Sequence, residues 1–83
     1  MKIWKYVLNR NGMTELEVPE GAEFATAGIL NGEVCVWAVV DPTKPNTKRK
    51  INIVWTGHEA DNVLKYVEMF IVGPIVYHVV EVE

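Results

Sequence analysis

Residues Glu33 to Asp41 read Glu-Val-Cys-Val-Trp-Ala-Val-Val-Asp, and every interior position is apolar. As a strand, the segment sets Val34, Val36, Ala38 and Val40 on one face and Cys35, Trp37 and Val39 on the other. A strand apolar on both faces needs cover on both sides. Ile75 to Val82 makes the same demand, with Ile75, Tyr77 and Val79 opposite Val76, His78, Val80 and Val82. In a chain of 83 residues this is severe, because so short a chain buries only about 60–65% of its unfolded surface. The cover must come from a second sheet or from a partner subunit.

The rest of the chain supplies more strands. Lys2 to Leu8 places Trp4, Tyr6 and Leu8 on one face and Ile3 and Val7 on the other, and Asn11-Gly12 supplies a hairpin turn. Met13 to Val18 alternates Met13, Glu15 and Glu17 with Thr14, Leu16 and Val18, a half-wet strand ended by Pro19-Glu20-Gly21. Ala22 to Leu30 is extended and rich in small residues, and Asn31-Gly32 gives a second hairpin. Asp41 to Lys48 reads as a polar loop stiffened by Pro42 and Pro45. Arg49 to Trp55 then sets Ile51, Ile53 and Trp55 opposite Asn52 and Val54. Thr56 to Asn62 is a polar loop, with room for one helical turn near residues 58–64. From Lys65 to Val72 strand alternation places Tyr66, Glu68, Phe70 and Val72 on one face, before the Gly73-Pro74 turn.

These signals predict a single all-β domain over residues 1–83. It is an antiparallel meander, barrel or compact sandwich of six to seven short strands. The lone Cys35 rules out an intrachain disulfide and fits a reducing compartment. A net charge of −3 argues against general nucleic-acid binding, which uses a basic face. No apolar run approaches the roughly 20 residues of a membrane-spanning helix, and the N-terminus lacks a signal-peptide pattern. The expectation is a soluble, cytoplasmic homo-oligomer.

The residues also carry a resemblance. Trp4-Lys5-Tyr6, Val18-Pro19-Glu20-Gly21-Ala22, Trp37-Ala38-Val39-Val40-Asp41-Pro42, Thr56-Gly57-His58 and Tyr77-His78-Val79-Val80-Glu81 resemble blocks of a family of small, largely uncharacterised phage and prophage proteins. They follow the family's order and spacing over nearly the whole chain. The resemblance implies an all-β fold, a phage origin and action inside a bacterial cell. It assigns no catalytic residues.

Catalytic chemistry finds little support in the residues. The chain has no serine, and Cys35 sits mid-strand in an apolar run where a thiol stays protonated. His58, Asp61 and His78 lack the spacing of a metal site, so no metal, cofactor or catalytic group is expected. Glu15 and Glu17 share a strand face and read as solvated edge charges.

Ligand binding suits the inventory better. Three tryptophans and three tyrosines offer faces that stack on bases at about 1–3 kcal/mol each. Trp55 precedes Thr56-Gly57-His58, and Arg49 begins the same strand. Trp55, Thr56, Gly57 and His58, with Arg49 for positive charge and His78 from the last strand, form the candidate site for a small nucleotide-like molecule. Against this, Trp4, Trp37 and Trp55 also suit core or interface positions. The functional expectation is a non-enzymatic phage protein that sequesters a nucleotide-like host signal as a counter-defence. The alternatives are a protein–protein module or a phosphodiesterase-like hydrolase using His58 and His78.

Overall fold

The computed structural model describes residues 1–83 and contains seven strands and no helix. They are β1 (Lys2–Val7), β2 (Met13–Pro19), β3 (Glu23–Leu30), β4 (Glu33–Val40), β5 (Asn46–Trp55), β6 (Val63–Val72) and β7 (Ile75–Val82). All pairings are antiparallel and form two sheets, one ordered β1-β4-β3 and the other β2-β5-β7-β6. The expected sandwich is therefore present, with no closed barrel.

The alternating pattern decides which sides meet. Val34, Val36, Ala38 and Val40 of β4 join Leu16, Val18, Ile51, Ile53 and Val79 of the other sheet in one buried core, with Phe24 and Ala27 from β3. This is the second sheet that the doubly apolar strands required. Cys35, on the opposite face of β4, is also fully buried. Trp37 approaches the backbone of Gly28, where an added Cβ would sit 4.0 Å from its ring. A small residue at position 28 thus lets the chain cover part of its own outer surface.

Two boundaries differ from the pattern reading. Asp41 takes hydrogen bonds at Oδ1 from the Thr43 amide at 3.0 Å and the Thr43 hydroxyl at 2.7 Å. These two bonds, the hydroxyl's first, hold the carboxyl below its usual pKa. Such a side-chain-closed turn reverses the chain quickly. Strand β5 can then begin at Asn46, opposite Pro19, where the sequence suggested loop up to Lys48. Strand β6 starts at Val63, and the segment before it contains only turns and bends, so the helical turn near 58–64 is absent.

The connection from β5 to β6 explains that absence. Both strands pair antiparallel to β7, one on each side, so they run parallel to each other. Trp55 ends β5 level with Tyr77, whereas Val63 begins β6 level with Val82. Thr56 to Asn62 must travel back about 17 Å along β7 and about 9.6 Å across it. A helix of seven residues would advance only about 10 Å. The segment is therefore an extended strap laid across the sheet, turning at Gly57 (φ 89°) and Asn62 (φ 56°).

Strand β6 is bulged between Val63 and Lys65 and again between Tyr66 and Glu68. The bulges aim side chains at β3, itself bulged between Phe24 and Thr26. Lys65 Nζ donates to Glu23 Oε2 at 3.0 Å and to the Phe24 carbonyl at 2.8 Å. Thr26 Oγ1 donates to Glu68 Oε2 at 3.1 Å. Polar bonds thus close this edge of the sandwich where the apolar core runs out.

Tyr6 packs against the core, and its hydroxyl is buried without a hydrogen-bond partner. Burial pushes its phenol pKa up. An unsatisfied buried hydroxyl costs about 1–3 kcal/mol. Tyr6→Phe is expected to raise unfolding stability by about 1 kcal/mol in urea denaturation; a loss of stability would show that the hydroxyl is satisfied.

Candidate functional site

The register of the four-stranded sheet sorts its two faces. Ile51, Ile53 and Trp55 share the inner face with Tyr77, Val79 and Glu81, while Val54 lies opposite His78 and Asn52 opposite Val80 on the outer face. No sheet covers that outer face, yet Val54, Val80 and Val82 form a buried cluster of their own there. Strap residues 56–58 and 60 line one opening together with Val54 and Val80. Between strap and sheet lies a cleft of about 260 Å³. Val54 and Val80 form its floor, Gly57, His58 and Ala60 its roof, and Tyr66 and His78 its wall.

A polar chain crosses this apolar opening. Thr56 Oγ1 lies 2.6 Å from His78 Nε2, and Tyr66 Oη lies 2.8 Å from His78 Nδ1. In a neutral imidazole one ring nitrogen donates and the other accepts, so the three groups form a directed chain in either tautomer. The Thr56 amide donates to the Val76 carbonyl at 3.1 Å, which ties the start of the strap to β7. The cleft therefore presents hydroxyl and imidazole groups that can exchange partners with a ligand, above an apolar floor.

A row of aromatic rings runs from the inner face, where Phe70 and Tyr77 pack against the core, to the cleft, which Trp55 and His58 line. Phe70 stacks on Tyr77 at 5.1 Å, Tyr77 meets Trp55 edge-on at 5.6 Å, and Trp55 lies 5.5 Å from the His58 ring. The His58 amide also donates to the Trp55 carbonyl at 3.0 Å. His58 is thus held by Trp55, through both its ring and its amide. Trp55 is 46% exposed and borders each of the three surface cavities, so it is both a packing residue and an accessible one.

The structure brings Trp55, Thr56, Gly57, His58 and His78 together, and leaves Arg49 elsewhere. Arg49 and Trp55 share the inner face of β5 six residues apart, about 20 Å along the strand. The Arg49 guanidinium pairs bidentately with Glu81, at 2.6 Å from Nε and 3.0 Å from Nη2. Nη1 donates to the Ala22 carbonyl at 2.8 Å, and the group sits 4.7 Å over the Phe24 ring. The bond to Glu81, followed by its charge and that of Glu23, outweighs burial and raises the Arg49 pKa. This guanidinium is committed to the sandwich and offers no free charge to the cleft.

Tyr66 and Arg10 are the residues that strand patterning did not mark. Counting back from the Gly73-Pro74 turn at constant register would set Tyr66 opposite Glu81, on the inner face. The bulge before Glu68 sets it opposite Val80 instead, on the cleft side. Arg10 belongs to the turn before β2, which carries the chain from one sheet to the other and does not close the expected hairpin, since β1 pairs with β4 and β2 with β5. It lines a neighbouring cavity of about 570 Å³ with Asn11, Asn52, His58 and Glu59. No group of three or more His, Cys, Asp or Glu side chains is placed to hold a metal ion. No helix is long and apolar enough to cross a membrane.

Two variants probe these placements. Glu81→Ala leaves the part-buried Arg49 without its carboxylate, and losing a hydrogen-bonded charge partner costs about 1.5–3 kcal/mol. The double replacement Arg49→Met with Glu81→Leu is expected to recover most of that in chemical denaturation; equal losses in both proteins would contradict the pairing. Gly57→Ala meets no neighbouring atom within 4 Å but must adopt φ near 89°, so a loss of about 1–2 kcal/mol is expected from backbone strain alone. An unchanged midpoint would mean that the strap does not turn there.

Comparison with known proteins gives one match. The family model described as a domain of unknown function (DUF7352) matches residues 1–83. No curated protein and no solved structure matches the chain.

Proposed function

The chain belongs to the family described as a domain of unknown function (DUF7352), and on that premise we propose that it is a non-enzymatic binding protein for a small nucleotide-like molecule. One observation carries this reading: the cleft beneath the strap combines an apolar floor, aromatic rings and the Thr56–His78–Tyr66 chain in a single opening. Ligand sites have this composition, mostly apolar with a few convergent polar groups. A base would slide between the strap and Val54 and Val80, and its edge would meet the hydroxyl and imidazole groups.

The non-enzymatic part rests on what stands behind the imidazole. His78 Nδ1 bonds to the Tyr66 hydroxyl, whereas a catalytic histidine is commonly backed by a carboxylate that stabilises its charged form. Capture without turnover amounts to sequestration. The likeness of the sequence blocks to small phage proteins supports placing that sequestration in a bacterial cell, as a counter to a host nucleotide signal.

Association of copies belongs to the same proposal. At about 260 Å³ the cleft falls below the roughly 300 Å³ where ligand pockets usually begin. Leu64 and Ile71 are each 61% exposed and Met69 is 41% exposed on the strand that borders the cleft. A second copy covering that strand would enlarge the enclosure. The same exposed residues favour one other reading, a module that docks on a different protein. Sedimentation separates them: a monodisperse homo-oligomer supports the first, and a monomer at micromolar concentration supports the second.

Thermal denaturation against cyclic mononucleotides, cyclic dinucleotides and ADP-ribose-type nucleotides tests the binding itself. A ligand at 100 times its Kd adds about 2.7 kcal/mol, which raises the Tm of a domain this size by roughly 10–20 °C. Tyr66→Ala is expected to weaken the responding nucleotide by about tenfold or more, the loss of one stacking and hydrogen-bonding partner. No rise with any member of the panel at millimolar concentration overturns the proposal.

A further inference from the structure

The cleft and the larger cavity beside it share Val54, Trp55 and His58. They adjoin at these residues, the cleft lying on the outer face and the cavity along the open edge of β5, where Ile53 and Asn52 both line it. The first is floored by valines, whereas the second is lined by Arg10, Asn11 and Asn52. Strand β2 pairs with β5 no further than Asn52. Beyond that point the cavity occupies the place where the sheet would have continued. The last tie is the Ile53 amide, which donates to the Gly12 carbonyl at 3.2 Å. Amides alternate along a strand, so the Trp55 N–H points to the same side.

Arg10 is the only cationic side chain lining this cavity. It makes no ion pair, since the three salt bridges of the molecule use Lys48, Arg49 and Lys65. Its Nη2 donates to the Gly32 carbonyl at 2.8 Å. That bond steadies the guanidinium against the β3–β4 turn and leaves its other donors free. Glu59 also lines the cavity, which disfavours a ligand carrying several negative charges there. A guanidinium with free donors, beside two asparagine side chains, suits a single phosphate group.

We infer that the two openings form one site, with a ring held beneath the strap and a phosphate held by Arg10 on the other side of His58. The inference rests on the proposed nucleotide binding and specifies it. The ligand is amphiphilic, with an aromatic base and one anionic group, and Arg10 sets the preference for the phosphorylated form. The sequence placed that positive charge at Arg49, which the sandwich consumes.

Calorimetry with the four ribonucleosides, their 5′-monophosphates and inorganic phosphate alone tests this on the wild-type chain, on Arg10→Gln and on Arg10→Lys. At least one monophosphate is expected to bind the wild type about tenfold tighter than its nucleoside, the low end for a charge-assisted contact. Arg10→Gln is expected to bring that ratio below threefold without changing the nucleoside's affinity, and Arg10→Lys to keep most of it. Equal binding of nucleoside and monophosphate to the wild type, or a ratio untouched by Arg10→Gln, overturns the inference while leaving base binding in place. Binding of inorganic phosphate alone at Arg10, with no nucleoside bound, overturns the joined site. Binding of none of these probes overturns both the inference and the reading beneath it.

Discussion

Seven residues connect β5 to a strand that runs parallel to it on the far side of β7. A crossover between parallel strands ordinarily takes a dozen residues or more and places a helix on the sheet. Here the chain has length enough only for an extended path, so it lies close against the face it crosses. That closeness brings Gly57, His58 and Ala60 to the same opening as Val54 and Val80. It also leaves a slot beneath the strap, because Gly57 and Ala60 bring little side-chain bulk to the roof. The cleft is a consequence of connection length, and the residues that line it are those the crossover passes over.

The rest of the sandwich holds this arrangement in place. Strand β7 is flanked by β5 and β6, and its Glu81 takes the Arg49 guanidinium that also reaches the Ala22 carbonyl and the Phe24 ring of the other sheet. The same strand carries His78 on its opposite face, where Thr56 and Tyr66 grip both ring nitrogens. One strand thus presents a buried ion pair to the interior and a hydrogen-bonding ring to the cleft. The alternation of side chains along β7 is what allows both.

Much of this was legible in the sequence, for reasons that are local. The seven strands follow from alternation and from turns at Asn11-Gly12, Asn31-Gly32 and Gly73-Pro74. The grouping of Trp55 to His58 with His78 combined a glycine turn at a strand end with the face of the last strand. Arg49 reads as a free charge at a strand start because Lys48 and Lys50 flank it, although its parity puts it on the face of Ile51 and Ile53. Its partner Glu81 lies 32 residues away, beyond the reach of pattern. Tyr66 was hidden by a bulge, which shifts parity by one residue and leaves no compositional mark. The strap was hidden by strand order, since the same loop would be an ordinary hairpin connection if β5 and β6 were neighbours.

Two-dimensional ¹H–¹⁵N NMR during titration with a nucleotide reads the cleft residue by residue. Shift changes concentrated on Trp55 to Val63, with Tyr66, His78 and Arg10, are the expected result, and the amides of β1, β3 and β4 should stay where they are. Changes confined to the three-stranded sheet, or a spectrum unaltered by saturating nucleotide, would contradict a binding cleft beneath the strap.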